Sequence, residues 1–533
     1  MRALPLPRIA AALTKVLSAL AVLPLQTSLA QGVLVRGTTT ANFIELRAMQ
    51  PDSVPFAQTT PGLFALRQLP NGLTVACGEG DAYCKYYRSG AITSAVPLVQ
   101  DLDISAWGLG RGLSVHASLR IREAAGANAQ LWPRANDRFD ALIAYLQFDR
   151  SRYTVRAGRQ YTGTGLGVYN FDGASLTWRP DRRVTLDGFA GYSLVQGVNE
   201  SLTTTELATI DELPPDRNAY LLGAQLRARP TSTTAFHTVY QRELRDNRSA
   251  LYSERLAMDA SWRLKGGSVE GAWQQDLAMG TTNELRLRLR APSVKRTTFS
   301  VEARRYRPFF ELWTIWGAFS PVGFDEGRAQ LGWISPTGAF SADVHGARRR
   351  WQDTEAGLGF APLRRDGWRA GGAAGWRVAP AWHVNGSYSA DIGAGASRTE
   401  GDLGVHYTRG DFYVGVNGTA FQSIYEFRVG TGRVMGLGGD AGWQIAPDLR
   451  LAASATAYRQ IAKNALPSTD WTQRRATMRL EWTVGGDPGV RGQSAAARKQ
   501  AARERGSQEL ARFGGVTTRA LPAAASSAPE RQP

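Results

Sequence analysis

Cysteine, histidine and lysine are scarce in this chain of 533 residues. Two cysteines cannot build a disulfide-rich scaffold, and five histidines leave little room for a histidine-rich metal site. The Cys-x-x-Cys-His motif is absent, which excludes covalently attached c-type haem on this polypeptide. Only six of the 63 basic residues are lysine, so arginine carries nearly all of the positive charge. The composition therefore predicts no metal site and no cofactor.

Long apolar runs are also missing. Beyond the N-terminus no apolar stretch is long enough for a spanning helix, and the mean hydropathy is −0.28. These properties exclude a membrane protein built of several helices. Two classes remain: a soluble multidomain protein, or a membrane β-barrel, whose strands are too short and too polar to stand out in hydropathy.

Residues 1–30 are predicted to be a secretory signal peptide. Arg2, Arg8 and Lys15 give it a positive start, Val16–Leu25 is a short apolar stretch, and small residues precede a cleavage site after Ala30. A structural helix is the alternative, but the apolar stretch is too short for a stable anchor. We therefore expect export across an inner membrane into the bacterial envelope.

Residues 31–97 show no regular pattern and are predicted to form an irregular N-terminal segment, interrupted by several prolines. Cys77 and Cys84 lie close together within it. In an oxidising compartment the simplest prediction is a local Cys77–Cys84 disulfide. A metal pair is disfavoured because no histidine lies nearby and two thiolates do not fill a tetrahedral site.

A different pattern begins at Leu98. Residues Glu284 to Arg290 read Glu-Leu-Arg-Leu-Arg-Leu-Arg, with leucines on one face and charges on the other, which is the period of a β-strand. Such segments recur to Val484, and short connections such as 446–448 alternate with long ones such as 199–218. We predict an all-β fold, a transmembrane antiparallel β-barrel at 98–484 with about 20 strands (range roughly 16–22).

Two soluble folds are the alternatives to the barrel. A β-propeller should show a repeated blade motif, and a β-helix should show a short stacking repeat; neither is found. Aromatic residues cluster near the ends of the alternating segments, as in the interfacial girdles of barrels, although ordinary core packing is the alternative. These residues are Trp107, Tyr145, Phe148, Trp178, Trp368, Trp376, Trp382, Trp443 and Trp482.

Residues 485–533 are predicted to be a basic, low-complexity and disordered tail, rich in alanine, arginine, glutamine and serine. The formal net charge of the whole chain is +17. A nucleic-acid-binding arm is the alternative reading of the tail, but an exported protein has little occasion to meet nucleic acid. We therefore predict no nucleic-acid partner.

The polar strand faces supply the candidate pore-lining residues. They are Arg286, Arg288 and Arg290 on one strand, Arg475 and Arg479 on another, and the acidic neighbours Glu284 and Glu302. Arginine keeps its charge at every physiological pH, and a basic wall favours anions. Pairing with the acidic side chains across strands is the alternative, and would stiffen the wall while leaving little net field. The expected outcome is weak anion preference.

Aromatic residues break the alternation in residues 304–324. Phe309, Phe310, Trp313 and Trp316 follow Pro308, which cannot donate to a central ladder. One interpretation is a constriction loop folded into the lumen. The alternative is a loop or strand end anchored at the membrane interface.

A resemblance to a known family rests on Tyr153 to Pro180. The Gly158-Arg159-Gln160 strand followed by Phe171-Asp172-Gly173 resembles the barrel wall of alginate-export-type and related outer-membrane porins. The resemblance covers about thirty residues. It implies a bacterial outer-membrane protein, surrounded by lipid, that lets small solutes pass passively. It implies neither a particular solute nor an oligomeric state.

A second resemblance is to the barrel partner of porin–cytochrome electron conduits. It rests on an N-terminal segment with two close cysteines, Cys77 and Cys84, ahead of a large barrel. It implies a sheath around a separate multihaem cytochrome. An enzyme is not expected, because no Ser/His/Asp set, HExxH motif or phosphate-binding glycine loop stands out.

Overall fold

The computed structural model describes the chain from Gly32 to Gly486 with internal gaps. The predicted signal peptide, residues 487–533 of the predicted tail, and Phe309, Phe310, Trp313 and Trp316 lie outside the described residues. The described ranges are 32–61, 67–70, 74–78, 80–126, 139–194, 219–245, 253–278, 280–307, 323–352, 366–393, 397–423, 431–463 and 471–486.

The described chain is almost entirely β-structure. One short 3-10 turn, Phe56–Gln58, follows the first strand. Within the described ranges, no helix is long and apolar enough to cross a membrane. The strands are β1 (Gly32–Pro55), β2 (Thr60–Pro61), β3 (Arg67–Gln68), β4 (Thr74–Val75), β5 (Tyr83–Trp107), β6 (Leu113–Gly126), β7 (Phe139–Asp149), β8 (Tyr153–Thr164), β9 (Gly167–Trp178), β10 (Val184–Ser193), β11 (Ala219–Ala228), β12 (Thr234–Arg245), β13 (Ser253–Arg263), β14 (Ser268–Asp276), β15 (Thr281–Arg290), β16 (Thr297–Tyr306), β17 (Phe324–Ile334), β18 (Phe340–Trp351), β19 (Asp366–Ala379), β20 (Trp382–Ile392), β21 (Ser397–Arg409), β22 (Phe412–Ser423), β23 (Thr431–Ala446), β24 (Leu449–Lys463) and β25 (Trp471–Gly486).

Twenty-two of these strands form one closed antiparallel barrel. From β5 to β25 each strand pairs with its neighbour in sequence, and β1 closes the ring between β25 and β5. The register of the closure runs from Val33↔Gly486 to Ile44↔Arg475. The predicted all-β barrel is therefore confirmed, with a strand count at the upper end of the predicted range.

The predicted start of the barrel at Leu98 is wrong. Gly32–Pro55 is a barrel strand, and β5 begins at Tyr83, so most of the segment predicted to be irregular is sheet. Alternation is hidden in β1 because Val33, Leu34 and Val35 are consecutive apolar residues and three threonines follow soon after. Its prolines, Pro51 and Pro55, lie near the strand end, where a missing N–H is tolerated.

The β1–β5 ribbon continues past the barrel rim. Its pairing extends to Pro55↔Tyr83, whereas the pairing of β1 with β25 stops at Ile44. Beyond the ribbon lies the small sheet β2–β4. Cys77 and Cys84 form the predicted disulfide there, and Cys84 packs with Val54 and Val75.

The barrel is apolar outside and polar inside. On β15, Leu285, Leu287 and Leu289 are exposed on the outer face, while the intervening side chains point inward. Large aromatic side chains ring the outer face at the end that carries the short turns: Trp178, Trp262, Trp333, Trp376, Trp382 and Trp443. An antiparallel barrel with such an exterior spans a bilayer, and this architecture belongs to the bacterial outer membrane. Tyr145, in contrast, stacks on His116 on the inner face, with 5.1 Å between ring centroids.

Candidate functional site

The candidate site is the inner face of the barrel, where the structure places the predicted arginines. Arg286, Arg288 and Arg290 lie on the inner face of β15, and Arg475 and Arg479 lie on that of β25. Because β15 and β25 are ten steps apart in a ring of 22 strands, the two groups lie on nearly opposite sides of the lumen. The structure therefore does not bring them into one site.

Many inner-face arginines pair with acidic side chains on the next strand. Arg304 Nε lies 2.9 Å from Glu284 Oε1, and Arg288 Nε lies 3.6 Å from Glu302 Oε2. Glu284 is buried, so its charge needs such a partner. Further along the wall, Arg349 pairs with Glu326 and Arg369 with Asp391, and Arg479 pairs with Glu481 on β25.

Not every arginine on the inner face forms an ion pair with a described residue. Arg286 lies opposite Ala272 on one side and Arg304 on the other, and forms no ion pair with any described residue. Arg328 likewise forms none within the described ranges, although it lies opposite Glu302 on β16 as well as Ala347 on β18. Their charges therefore remain available to a solute in the lumen.

Charge is distributed unevenly around the inner wall. On β15–β19 the inward arginines Arg286, Arg288, Arg290, Arg304, Arg328, Arg349, Arg369 and Arg377 outnumber the inward acids Glu284, Glu302, Glu326 and Asp343. On β20–β23 the balance reverses, with Asp391, Glu400, Asp402 and Asp440 against Arg398. A basic sector (β15–β19) thus adjoins an acidic sector (β20–β23).

The most prominent departure from a plain wall is the hairpin of β8 and β9. Pairing of β8 with β7 ends at Arg159↔Ala144, and pairing of β9 with β10 ends at Phe171↔Ser193. Beyond these residues the two strands pair with each other, out to Thr164↔Gly167, and one further backbone hydrogen bond runs from the Leu194 N–H to the Asn170 carbonyl oxygen. We call Gln160 to Asn170 the inserted hairpin, because it leaves the wall and enters the lumen.

The tip of the inserted hairpin packs against inner-face residues of β11–β14. Leu166 is buried in a cluster with Val239 and Ala257. Gln274 Nε2 donates to the Gly165 carbonyl oxygen at 3.1 Å, and Gln225 Nε2 donates to Thr162 Oγ1 at 3.2 Å. The Arg255 guanidinium donates to the Tyr169 hydroxyl. Contacts with four successive wall strands hold the hairpin in one place.

Three glycines lie in one row at the point where the hairpin leaves the wall. Gly158 faces Gly173, and Gly173 faces Gly191. A Cβ at Gly173 would overlap the backbone of Ala190 and Gly191, and Gly158 has a φ of +124°, which other residues rarely adopt. Close backbone approach at this row lets the strands bend inward.

The sequence did not single out the inserted hairpin as a constriction. The aromatic segment that was predicted to constrict the lumen lies outside the described residues. A usable signal was present, since Gly158 and Gly173 flank the hairpin within the passage that resembles porins. Among the described residues, no group of three or more histidine, cysteine, aspartate or glutamate side chains is arranged to hold a metal ion.

Comparisons with known proteins return structures and no sequence families. No protein-family model and no curated protein matches the chain. Similar solved structures include the outer membrane protein opdK of Pseudomonas aeruginosa (9% identity, TM-score 0.39, covering 85% of this chain and 99% of that one). A BenF-like porin of Pseudomonas fluorescens Pf-5 (8% identity, TM-score 0.38) covers 85% of this chain and 99% of its own. Because these scores are low, the functional argument relies on the geometry of this barrel.

Proposed function

We propose that this barrel is a porin-like channel of the outer membrane for passive passage of small solutes, with a weak preference for anions. The observation behind the proposal is a closed barrel of 22 strands with an apolar exterior and a charged interior. With strands about 4.8 Å apart and tilted by about 40°, such a ring has a radius of about 20 Å, enough for a lumen beyond its side chains.

The preference for anions rests on the basic sector. Arg286 and Arg328 form no ion pair among the described residues, although Arg328 lies opposite Glu302, whereas Arg288 and Arg304 pair with Glu302 and Glu284. The acidic sector on β20–β23 opposes the effect. A few uncompensated arginines in a wide lumen give a small bias toward anions and not strict selection.

The experiment measures the reversal potential of the purified protein in a planar bilayer under a KCl gradient. We expect a weakly anion-selective reversal potential, which moves to about zero selectivity in the Arg286→Gln/Arg328→Gln double variant. Arg348→Gln is the matched control, because Arg348 lies on the outer face, is highly exposed and pairs with Asp366. Absence of conductance, or clear cation selectivity of the unaltered protein, contradicts the proposal.

A sheath around a multihaem cytochrome is not proposed. Such a sheath needs a lumen that is free for its partner, whereas the inserted hairpin crosses into it and packs on β11–β14. The proposed activity is passage of solutes and includes no chemical reaction.

A further inference from the structure

Arginines lie on the outer face of the barrel at the end opposite the short turns, and those on β16–β18 have acidic partners on the same face. Arg305 pairs with Asp325, with 2.7 Å from Nε to Oδ1, and Arg348 pairs with Asp366 at 3.4 Å. Arg350 lies opposite both of these aspartates on the neighbouring strands. In this part of the outer face the basic charge is therefore matched within the wall.

A second group of outer-face arginines, on β23–β25, lacks such partners. Arg433, Arg459 and Arg474 are exposed and form no ion pair with any described residue. Among the described outer-face positions of β22–β25, none is acidic. On β1, the Glu45 carboxylate accepts a hydrogen bond from the Arg474 backbone N–H at 2.9 Å, so it offsets one of the three charges at most. We call these three arginines the outer basic patch.

The arginines of the patch lie close enough together to act on one anion. Arg433 lies opposite Ile461, which is two residues from Arg459 on β24. Arg459 lies opposite Thr472, which is two residues from Arg474 on β25. Diagonal neighbours of this kind are about 7 Å apart. Like charges at that separation repel each other, so an anion between them stabilises the group, and a guanidinium binds phosphate through two parallel hydrogen bonds.

The position of the patch along the strands places it at the level of lipid headgroups. Arg433 is ten residues from Trp443, and Arg474 is eight residues from Trp482, where both tryptophans lie on the outer face near the short turns. At about 3.3 Å per residue and a tilt of about 40°, these arginines lie about 20–25 Å from the tryptophans along the membrane normal. The apolar band of an outer-membrane barrel is about 25 Å tall, and its long loops face outward. The patch therefore lies at the edge of the band in the outer leaflet.

Between the patch and the short turns, the outer wall is low along β24. Ala453, Ala455 and Ala457 are successive outer-face residues of this strand. Leu437 lies opposite Ala457 on β23 and is 66% exposed, and Met478 lies opposite Ala453 on β25 and is 40% exposed. The larger side chains on either side leave a shallow trough over the alanines. An acyl chain whose headgroup is held by the patch can lie in this trough.

We propose that the outer basic patch binds a phosphomonoester lipid of the outer leaflet, with its phosphate held by Arg433, Arg459 and Arg474. The occupant is a lipid because the patch lies at headgroup depth on the wall that faces the bilayer. A phosphomonoester carries about two negative charges, which matches the three arginines offset by Glu45. The site lies outside the barrel, so it does not depend on whether the barrel conducts ions.

The test measures lipid binding to the purified full-length protein in a nonionic detergent by native mass spectrometry. The probe is dioleoylphosphatidic acid, and the comparison lipid is dioleoylphosphatidylcholine, which has the same acyl chains but a phosphate already neutralised by choline. The test variant is Arg433→Gln/Arg459→Gln/Arg474→Gln. The matched control removes the same number of charges at the same end of the outer face, from arginines with acidic partners: Arg305→Gln/Arg348→Gln/Arg350→Gln.

We expect the unaltered protein to bind phosphatidic acid about tenfold more tightly than phosphatidylcholine. The test variant should bind phosphatidic acid about 100-fold more weakly, because each arginine near a membrane surface contributes about fivefold, and the control should change by about threefold at most. Equal losses in the two variants, or equal affinities for the two lipids, overturn the proposal. Displacement of phosphatidic acid by excess inorganic phosphate also overturns it, because the site then requires no lipid.

Folding of the variants is checked by heat-modifiable electrophoretic migration. If the triple variant does not fold, Arg459→Gln alone tests the proposal, because Arg459 is the middle arginine of the patch. The expected loss is then about fivefold, and an unchanged affinity contradicts the proposal. The bilayer conductance of the unaltered protein is recorded separately, so failure of the lipid site and failure of the channel are distinguishable.

Discussion

Leu166 is the residue whose loss should loosen the inserted hairpin most. It is only 8% exposed and packs with Val239 and Ala257, which are 0% and 1% exposed. Leu166→Ala removes three carbons, worth about 2 kcal/mol of transfer free energy at about 0.8 kcal/mol each. The barrel wall cannot collapse into the space, so a cavity contribution brings the cost to about 3 kcal/mol. The ratio of docked to undocked hairpin should therefore fall by about 100-fold.

The reactivity of a thiol at position 257 measures how often the hairpin undocks, because the docked hairpin covers this position. The thiol introduced by Ala257→Cys should react slowly with a maleimide larger than a leucine side chain. Adding Leu166→Ala should accelerate the reaction by up to about 100-fold, since the reagent gains access whenever the hairpin undocks. Rates are normalised to Ser387→Cys on the inner face of β20, which corrects for entry of the reagent into the lumen.

The matched control is Val168→Ala on the same hairpin. Val168 is exposed, so truncating it should cost less than about 0.5 kcal/mol and should change the rate by about twofold at most. Equal rates in the Leu166 and Val168 variants would refute the reasoning, because docking through Leu166 would then contribute nothing. Rapid reaction of Ala257→Cys alone would show that the hairpin does not rest on β13.

Two further predictions concern the bend and the mobility of the hairpin. Gly173→Ala should destabilise the folded barrel by about 1–3 kcal/mol in urea unfolding, because its Cβ would meet the Ala190 backbone, whereas Gly188→Ala, with open space around it, should be nearly neutral. A disulfide from Gly165→Cys and Ala257→Cys should form readily, since a Cβ on Gly165 lies 3.6 Å from that of Ala257. Its oxidised and reduced forms should conduct equally if the hairpin is a fixed element; higher conductance on reduction would show that it moves.

Strict alternation made the barrel wall predictable. In β15 every leucine faces outward and every arginine inward, as residues 284–290 indicated. Cross-strand pairing of Arg288 with Glu302 was also accessible, since both residues lie in segments with clear alternation. Where apolar and polar residues alternate strictly, the orientation of one side chain determines the orientation of all the others in the strand. A shift by one position would turn every side chain to the opposite face of the sheet.

Closure and insertion were not predictable for a different reason. β1 carries apolar and threonine side chains on both faces, so its sequence does not show the alternation of a strand. Its pairing with β25 is nevertheless regular. The inserted hairpin has the opposite property. Tyr161 and Gly163 alternate with Thr162 and Thr164 as in any wall strand, so nothing local marks its departure from the wall. Departure depends on contacts with β11–β14, which are distant in sequence.

Insertion of the hairpin also determines which part of the wall a solute meets. The tip covers inner-face positions on β11–β14, among them Gln225, Val239, Ala257 and Gln274. The basic sector begins on the next strand, β15. The contacts of the tip described above are with β11–β14 and not with this sector. A solute excluded from the covered side must therefore pass closer to Arg286 than it would in an empty barrel. Because the field of a charge in water is screened over about 10 Å, this displacement would strengthen the proposed preference for anions without adding a charge. In the proposed channel, the hairpin would limit where a solute passes, and the arginines would favour a solute of negative charge.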